Sequence, residues 1–165
     1  METLALVQFP HTMEVLQRYA TEFIELYKLS LVANNRPASG RLSNSLSYQI
    51  SVDDHSFAVD ISLMEYWKWI ENDTRPHWPP ADAIRRWIEV KPVVPYPMSN
   101  GKVPTVNQLT FLIQRKIAEE GTTGTHDLQR TNEQLLADME QSIAHAVTED
   151  VEAYVNAIFI DYLPR

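Results

Sequence analysis

The 165-residue sequence predicts an α+β fold: a small antiparallel sheet with a hairpin packed against several helices, and a long C-terminal helix. Three observations predict it. An apolar stripe with helical spacing runs through residues 12–33, two runs of strict alternation follow at 46–52 and 57–63, and a long helical pattern fills the last part of the chain. The sheet is expected to be completed by strands that the pattern does not locate.

The elements follow in order. Leu16, Tyr19, Ala20, Phe23, Ile24, Tyr27 and Leu31 recur every three or four positions and make one face of a helix. Asn34 to Gly40 breaks it with a cluster of turn formers. Leu46, Tyr48, Ile50 and Val52, then Phe57, Val59, Ile61 and Leu63, alternate with small or polar residues across Asp53-Asp54-His55, as in a hairpin with one buried face. On that reading Tyr48→Asp unfolds the domain, while Ser47→Asp on the other face is tolerated. Met64 to Glu71 predicts a short helix, and Pro79-Pro80 opens another that runs to about Val90 with Ile84, Trp87 and Ile88 inward. The proline-rich stretch from Lys91 to Pro104 predicts a connection without regular structure. Thr105 caps a helix with Leu109, Leu112, Ile113 and Ile117 as its stripe, and Gly121 ends it. Thr131 with Gln134 has the spacing of a capping box at the head of the last helix, which Thr148-Glu149-Asp150 would bend or split. The organisation read from this is a single domain over 1–165, with a helical insertion at about 76–121 and a C-terminal arm at 148–165.

Composition narrows the function. An apolar content of 44% suits a packed core, and the absence of cysteine removes disulfides, thiolate nucleophiles and cysteine-based metal sites. The first residues lack a basic export signal and the apolar runs are too short to span a bilayer, so no membrane association and synthesis in a cytoplasm are expected. A net charge of −8 argues against general nucleic-acid binding.

No catalytic, cofactor or metal site emerges. His126-Asp127 follows Gly-Thr-Thr-Gly-Thr, but the phosphate-loop pattern is missing and the segment follows a helix rather than a strand. No second histidine stands at helical spacing from His77 or His145, and no serine sits in a Gly-x-Ser-x-Gly elbow. Trp67, Trp69, Trp78 and Trp87 fall within 21 positions and fit either a local aromatic core or an intersubunit anchor. Trp67 and Trp69 point to different faces of any regular element, which puts one of them outside the core.

The order of short motifs resembles a known family. Ser39-Gly40-Arg41-Leu42-Ser43-Asn44-Ser45-Leu46 leads into the hairpin, Tyr66 to Thr74 follows it, then come Pro79 to Ile88, Leu109 to Ile117 and Gly121 to Leu128. Over roughly residues 12–147 the chain resembles the minor tail-component, or tail-completion, family of tailed double-stranded DNA phages. It departs from that pattern with Asn72-Asp73 where a glycine is usual, and with the segment after residue 147.

The resemblance implies a non-enzymatic virion protein at the head–tail junction: a homo-oligomeric ring that links portal or adaptor proteins to tail proteins and leaves a channel for DNA. A tail-tube terminator is the alternative within that class, and a small phage hydrolase using His126-Asp127 is the alternative outside it. The resemblance also implies assembly roles for Arg41, as a bidentate donor to a carboxylate, and for Gly40, as a backbone angle closed to other residues. Trp67, Trp69 and Trp78, with Tyr154, Ile158, Phe159 and Tyr162 of the arm, complete the candidate interface.

Overall fold

The computed structural model describes residues 9–34, 40–53, 56–91, 93–97, 99 and 101–162, with side chains to 160. The order is α1 (Pro10–Ala33), α2 (Arg41–Ser45), β1 (Ser47–Val52), β2 (Phe57–Ser62), α3 (Trp67–Glu71), α4 (Ala81–Val90), α5 (Val106–Glu120) and α6 (Asp127–Tyr162). The class is α+β, as the periodicities predict. Contacts divide the chain into two compact units: residues 1–27, 47–62 and 129–165 form one, and 28–46 and 63–128 form the other.

In the first unit, α1 and α6 run antiparallel. Tyr19 donates to Asn132 Oδ1 at 2.7 Å, Arg18 to Ser142 Oγ at 3.1 Å, and Thr12 meets Asp150. The predicted stripe of α1 is the core: Leu16, Ala20, Phe23, Ile24 and Tyr27 are buried, opposite Leu135 and Ala146 of α6. Each fully buried side chain of this size contributes about 1.5–3 kcal/mol, so the stripe dominates the unit's stability.

The hairpin has the predicted register, with Tyr48 opposite Ile61, Ile50 opposite Val59 and Val52 opposite Phe57. Asp53 shapes the turn by accepting from the Ser56 backbone and hydroxyl at 2.8 and 2.9 Å; Asp54 and His55 lie outside the described residues. Burial of the apolar face departs from expectation. Ile50, Phe57, Val59 and Ile61 are half-buried, but Tyr48 and Val52 are 40% and 52% exposed. Among the described residues the sheet holds two strands, so no further strand presses the face into a core. Phe57 instead meets Phe9 edge to face at 5.2 Å.

The second unit is organised by two facing loops. Thr74 and Thr122 form a β-bridge, with a 2.7 Å contact between their hydroxyls. Thr125 and His126 donate backbone N–H groups to the carbonyls of Ile70 and Glu71 at 2.9 and 3.1 Å. The approach excludes a side chain. A Cβ on Gly121 would lie 2.1 Å from the Thr74 carbonyl oxygen, and one on Gly124 would lie 2.2 Å from that of Glu71. The clasp therefore joins the segments Tyr66 to Thr74 and Gly121 to Leu128.

Helix starts explain the remaining differences. Gly40, at φ 72, precedes the unpredicted turn α2, and Leu42 is buried. Thr105 and Gln108 make a full capping box on α5, which ends at Gly121 as expected. α6 begins at Asp127, four residues before the expected cap, so Thr131 is an interior helical residue and 3% exposed. Its first turn is held from a distance: Glu71 Oε1 accepts from the Leu128 N–H at 2.7 Å, and both Asp127 oxygens accept from Asn34 Nδ2 at 2.8 and 2.9 Å. The helix then continues through 148–150, where a bend or split was expected, to Tyr162.

Two outcomes follow for urea-unfolding measurements. Phe23→Ala is expected to cost roughly 3–5 kcal/mol, whereas Tyr48→Asp, at an exposed position, costs less than about 1 kcal/mol. Gly124→Ala must displace backbone and is expected to destabilise by at least about 2 kcal/mol, while Gly101→Ala, with nothing within 4 Å of its Cβ but a φ of 74, costs about 1 kcal/mol.

Candidate functional site

Two helical surfaces, one in each unit, carry exposed apolar residues, beside others on α1, the hairpin, α3 and the connection between α4 and α5. The first is the end of α6. Every residue from Val151 to Ile160 is exposed. This run contains Val151, Tyr154, Val155, Ile158, Phe159 and Ile160, the last two at 65% and 71%. Of the predicted arm residues, Tyr154, Ile158 and Phe159 are thus placed together on an uncovered helix; the side chain of Tyr162 lies outside the described residues. Ala146 and Asp150 are buried, so the uncovered run starts at Val151, inside the expected 148–165 segment.

Asp150 sets that boundary. Its carboxylate is 2% exposed and receives the His11 N–H at 3.0 Å, the Thr12 N–H at 2.9 Å and the Thr12 hydroxyl at 2.8 Å. These are the otherwise unpaired donors at the start of α1, where the helix dipole also favours negative charge. Burial by itself pushes the Asp150 pKa up, but the hydrogen bonds from Thr12 and His11 and the nearby His11 ring outweigh it, and the carboxyl sits below its ordinary range. α6 is therefore anchored up to residue 150 and uncovered beyond it.

The second surface lies on α4 and α5. Of the stripe expected to face inward on α5, Leu109, Ile113 and Ile117 are half-buried and Leu112 is 38% exposed; Thr110 and Gln114 are buried beside them at 3% and 7%, while Phe111 is 52% exposed. The buried polar groups are satisfied locally. Thr110 donates to the Val106 carbonyl at 2.8 Å, and Gln114 donates to the Pro79 carbonyl at 2.8 Å, tying α5 to the start of α4. Trp78 lies against Phe111, ring centres 6.0 Å apart, and is itself 55% exposed. On α4, Ile88 is buried as expected and Trp87 is 41% exposed, with the Lys91 ammonium 5.6 Å from its ring centre.

None of the four tryptophans is buried: Trp67 is half-buried, and Trp69 is 69% exposed. The reading as a closed aromatic core therefore fails, because the unit's interior is filled by Leu31, Leu42 and Ile88 and by polar groups such as Glu71 and Asp127. Arg41 is exposed at the head of α2 and makes no ion pair among the described residues. His126, at φ 52, is held open by the loop clasp with Nε2 3.7 Å from Asp73 Oδ1, and Asp127 is engaged by Asn34. That pair starts a helix. Among the described residues no group of three or more His, Asp or Glu could hold a metal ion, and no helix is long and apolar enough to cross a membrane.

No protein-family model, curated protein or solved structure matches the chain.

The clamp predicts a pH dependence. Because the folded pKa of Asp150 lies below its unfolded value of about 3.9, its stabilisation is complete above that value and is lost as pH falls through the folded pKa. Asp150→Asn is expected to cost roughly 0.5–2 kcal/mol near neutral pH, and its deficit against the wild type should shrink in urea titrations below about pH 4. A deficit independent of pH would remove the charge from the explanation.

Proposed function

We propose that the chain is a structural, non-enzymatic protein of a tailed bacteriophage, a subunit of a ring at the head–tail junction that links portal to tail and leaves a channel for DNA. The observation that carries this reading is the pair of uncovered apolar surfaces, above all the run from Val151 to Ile160. Solitary proteins seldom leave so contiguous an apolar helix in water, and a subunit covers it on assembly. Burying four or five of these side chains contributes on the order of 5–10 kcal/mol before the cost of association.

Three further features support the same reading. The ordered motifs of residues 12–147 resemble the tail-completion family, and two of them meet in the loop clasp. Asp127, one of the two residues on which a hydrolase would rest, is engaged by Asn34 at the start of α6. The net charge of −8 suits a conduit, because ring symmetry repeats each inward carboxylate and repels passing DNA.

Truncation after Asp150 tests the reading while leaving the clamp intact. In cells infected by the phage with this gene disrupted, full-length protein is expected to restore joined virions. The truncated chain, folded by circular dichroism, is expected to yield separate full heads and free tails in negative-stain micrographs. Normal virions from the truncated chain would remove the arm from the function. Overlong tails would assign the chain as a tail-tube terminator, and turnover in a hydrolase screen that is lost in His126→Ala would replace the structural reading.

A further inference from the structure

α6 is longer than the helix it packs on. Asp150 accepts from the backbone of His11 and Thr12, so the start of α1 sits level with residue 150, and α6 continues beyond it to Tyr162. The side of α6 that faces α1 does not change character there. Ala146 and Asp150 are buried, and two further steps of four residues reach Tyr154 and Ile158. These are 37% and 38% exposed, against 65% and 71% for Phe159 and Ile160. The stripe that α1 covers as far as residue 150 thus goes on with no helix opposite it among the described residues.

The same chain leads toward that gap. Because α1 and α6 are antiparallel, the axis of α1 followed back from Pro10 points along residues 151–160. Phe9 is fixed at the foot of the run, its ring 5.2 Å from that of Phe57, and a residue ahead of proline keeps to extended angles. Residues 1–8 lie outside the described residues. Among them Met1, Leu4, Ala5, Leu6 and Val7 are apolar and Glu2 is the sole charged side chain, while 151–160 carries Glu152 alone. Eight extended residues reach up to roughly 26 Å, and Val151 to Ile160 is roughly 15 Å of helix.

We infer that residues 1–8 cover Tyr154 and Ile158 of their own chain in the unassembled subunit, as a strap that assembly displaces. The cover rests on the geometry above; its displacement rests on the ring reading. Anchorage at Phe9, His11 and Thr12 holds the segment beside its own α6 at a high effective concentration, which favours closure within one chain over exchange between copies. Until a neighbour takes the stripe over, the strap keeps it from water.

A chain without cysteine makes the test direct. Leu6 lies roughly 10 Å of extended chain ahead of Phe9, and Ile158 lies roughly 12 Å of helix beyond Asp150. Leu6→Cys with Ile158→Cys is therefore placed to close a disulfide under mild oxidation. The expected product has monomer mass and forms equally at about 1 and about 100 µM protein. It is expected to be absent from Leu6→Cys with Val52→Cys, which would report residues 1–8 on the hairpin. If the first variant loses its helical circular dichroism, Val7→Cys with Tyr154→Cys takes its place.

The cover is overturned by a product of dimer mass, which would give the run to a second copy, by closure on Val52 in place of Ile158, or by no product at all. In extracts of cells infected by the phage with this gene disrupted, the oxidised protein is expected to leave heads and tails separate and the reduced protein to join them. Joining by the oxidised form, or failure of the reduced form, overturns the displacement. The ring reading fails separately: it falls if heads and tails still join when the gene is disrupted, whatever residues 1–8 do in the isolated chain.

Discussion

A helix that begins inside a protein must find acceptors for its first N–H groups, and both long helices here take theirs from carboxylates far away in sequence. Asp150 receives the start of α1 across 138 and 139 positions, and Glu71 receives Leu128 at the start of α6 across 57. In each case a buried carboxyl oxygen accepts from donors that the helix dipole makes more positive. Remove the Asp150 carboxylate and the antiparallel pairing of α1 with α6 loses its polar anchor, although the apolar stripe remains. The clamp also decides where α6 stops being part of the core, and therefore where the uncovered arm begins.

The second unit follows a different economy of residues. Its close approaches are made by backbone, through the loops around Thr74 and Thr122, and its interior accepts Thr110, Gln114, Glu71 and Asp127 because each has a hydrogen-bond partner. Filling the interior with satisfied polar groups leaves large apolar side chains to the outside. Trp69, Trp78 and Phe111 are each more than half exposed for that reason. Such an arrangement stabilises a lone chain less than a conventional core would.

Periodicity in the sequence determined the elements. The α1 stripe, the two alternating runs with their register, the proline-opened α4, the Thr105 cap and the Gly121 stop are all local properties: each depends on side-chain spacing, or on the conformational preference of one residue. The apolar stripe at the end of α6 was legible for the same reason, since Val151, Tyr154, Val155, Ile158 and Phe159 recur with little polar relief. One tryptophan outside the core followed from the two-residue offset of Trp67 and Trp69.

Only the tertiary structure decided which stripes are covered, because covering depends on partners that spacing does not name. Tyr48 and Val52 have the alternation of a buried face, but among the described residues no third strand presses on them. Leu112 has the spacing of a core residue, yet Gln114 takes the interior because the Pro79 carbonyl is there to receive it. The start of α6 lies at Asp127 rather than Thr131 because the groups that hold it, Glu71 accepting from the Leu128 N–H and the Asn34 amide donating to Asp127, come from distant segments. Local pattern sets what each element is; long-range hydrogen bonds and close packing set which of its faces meets water.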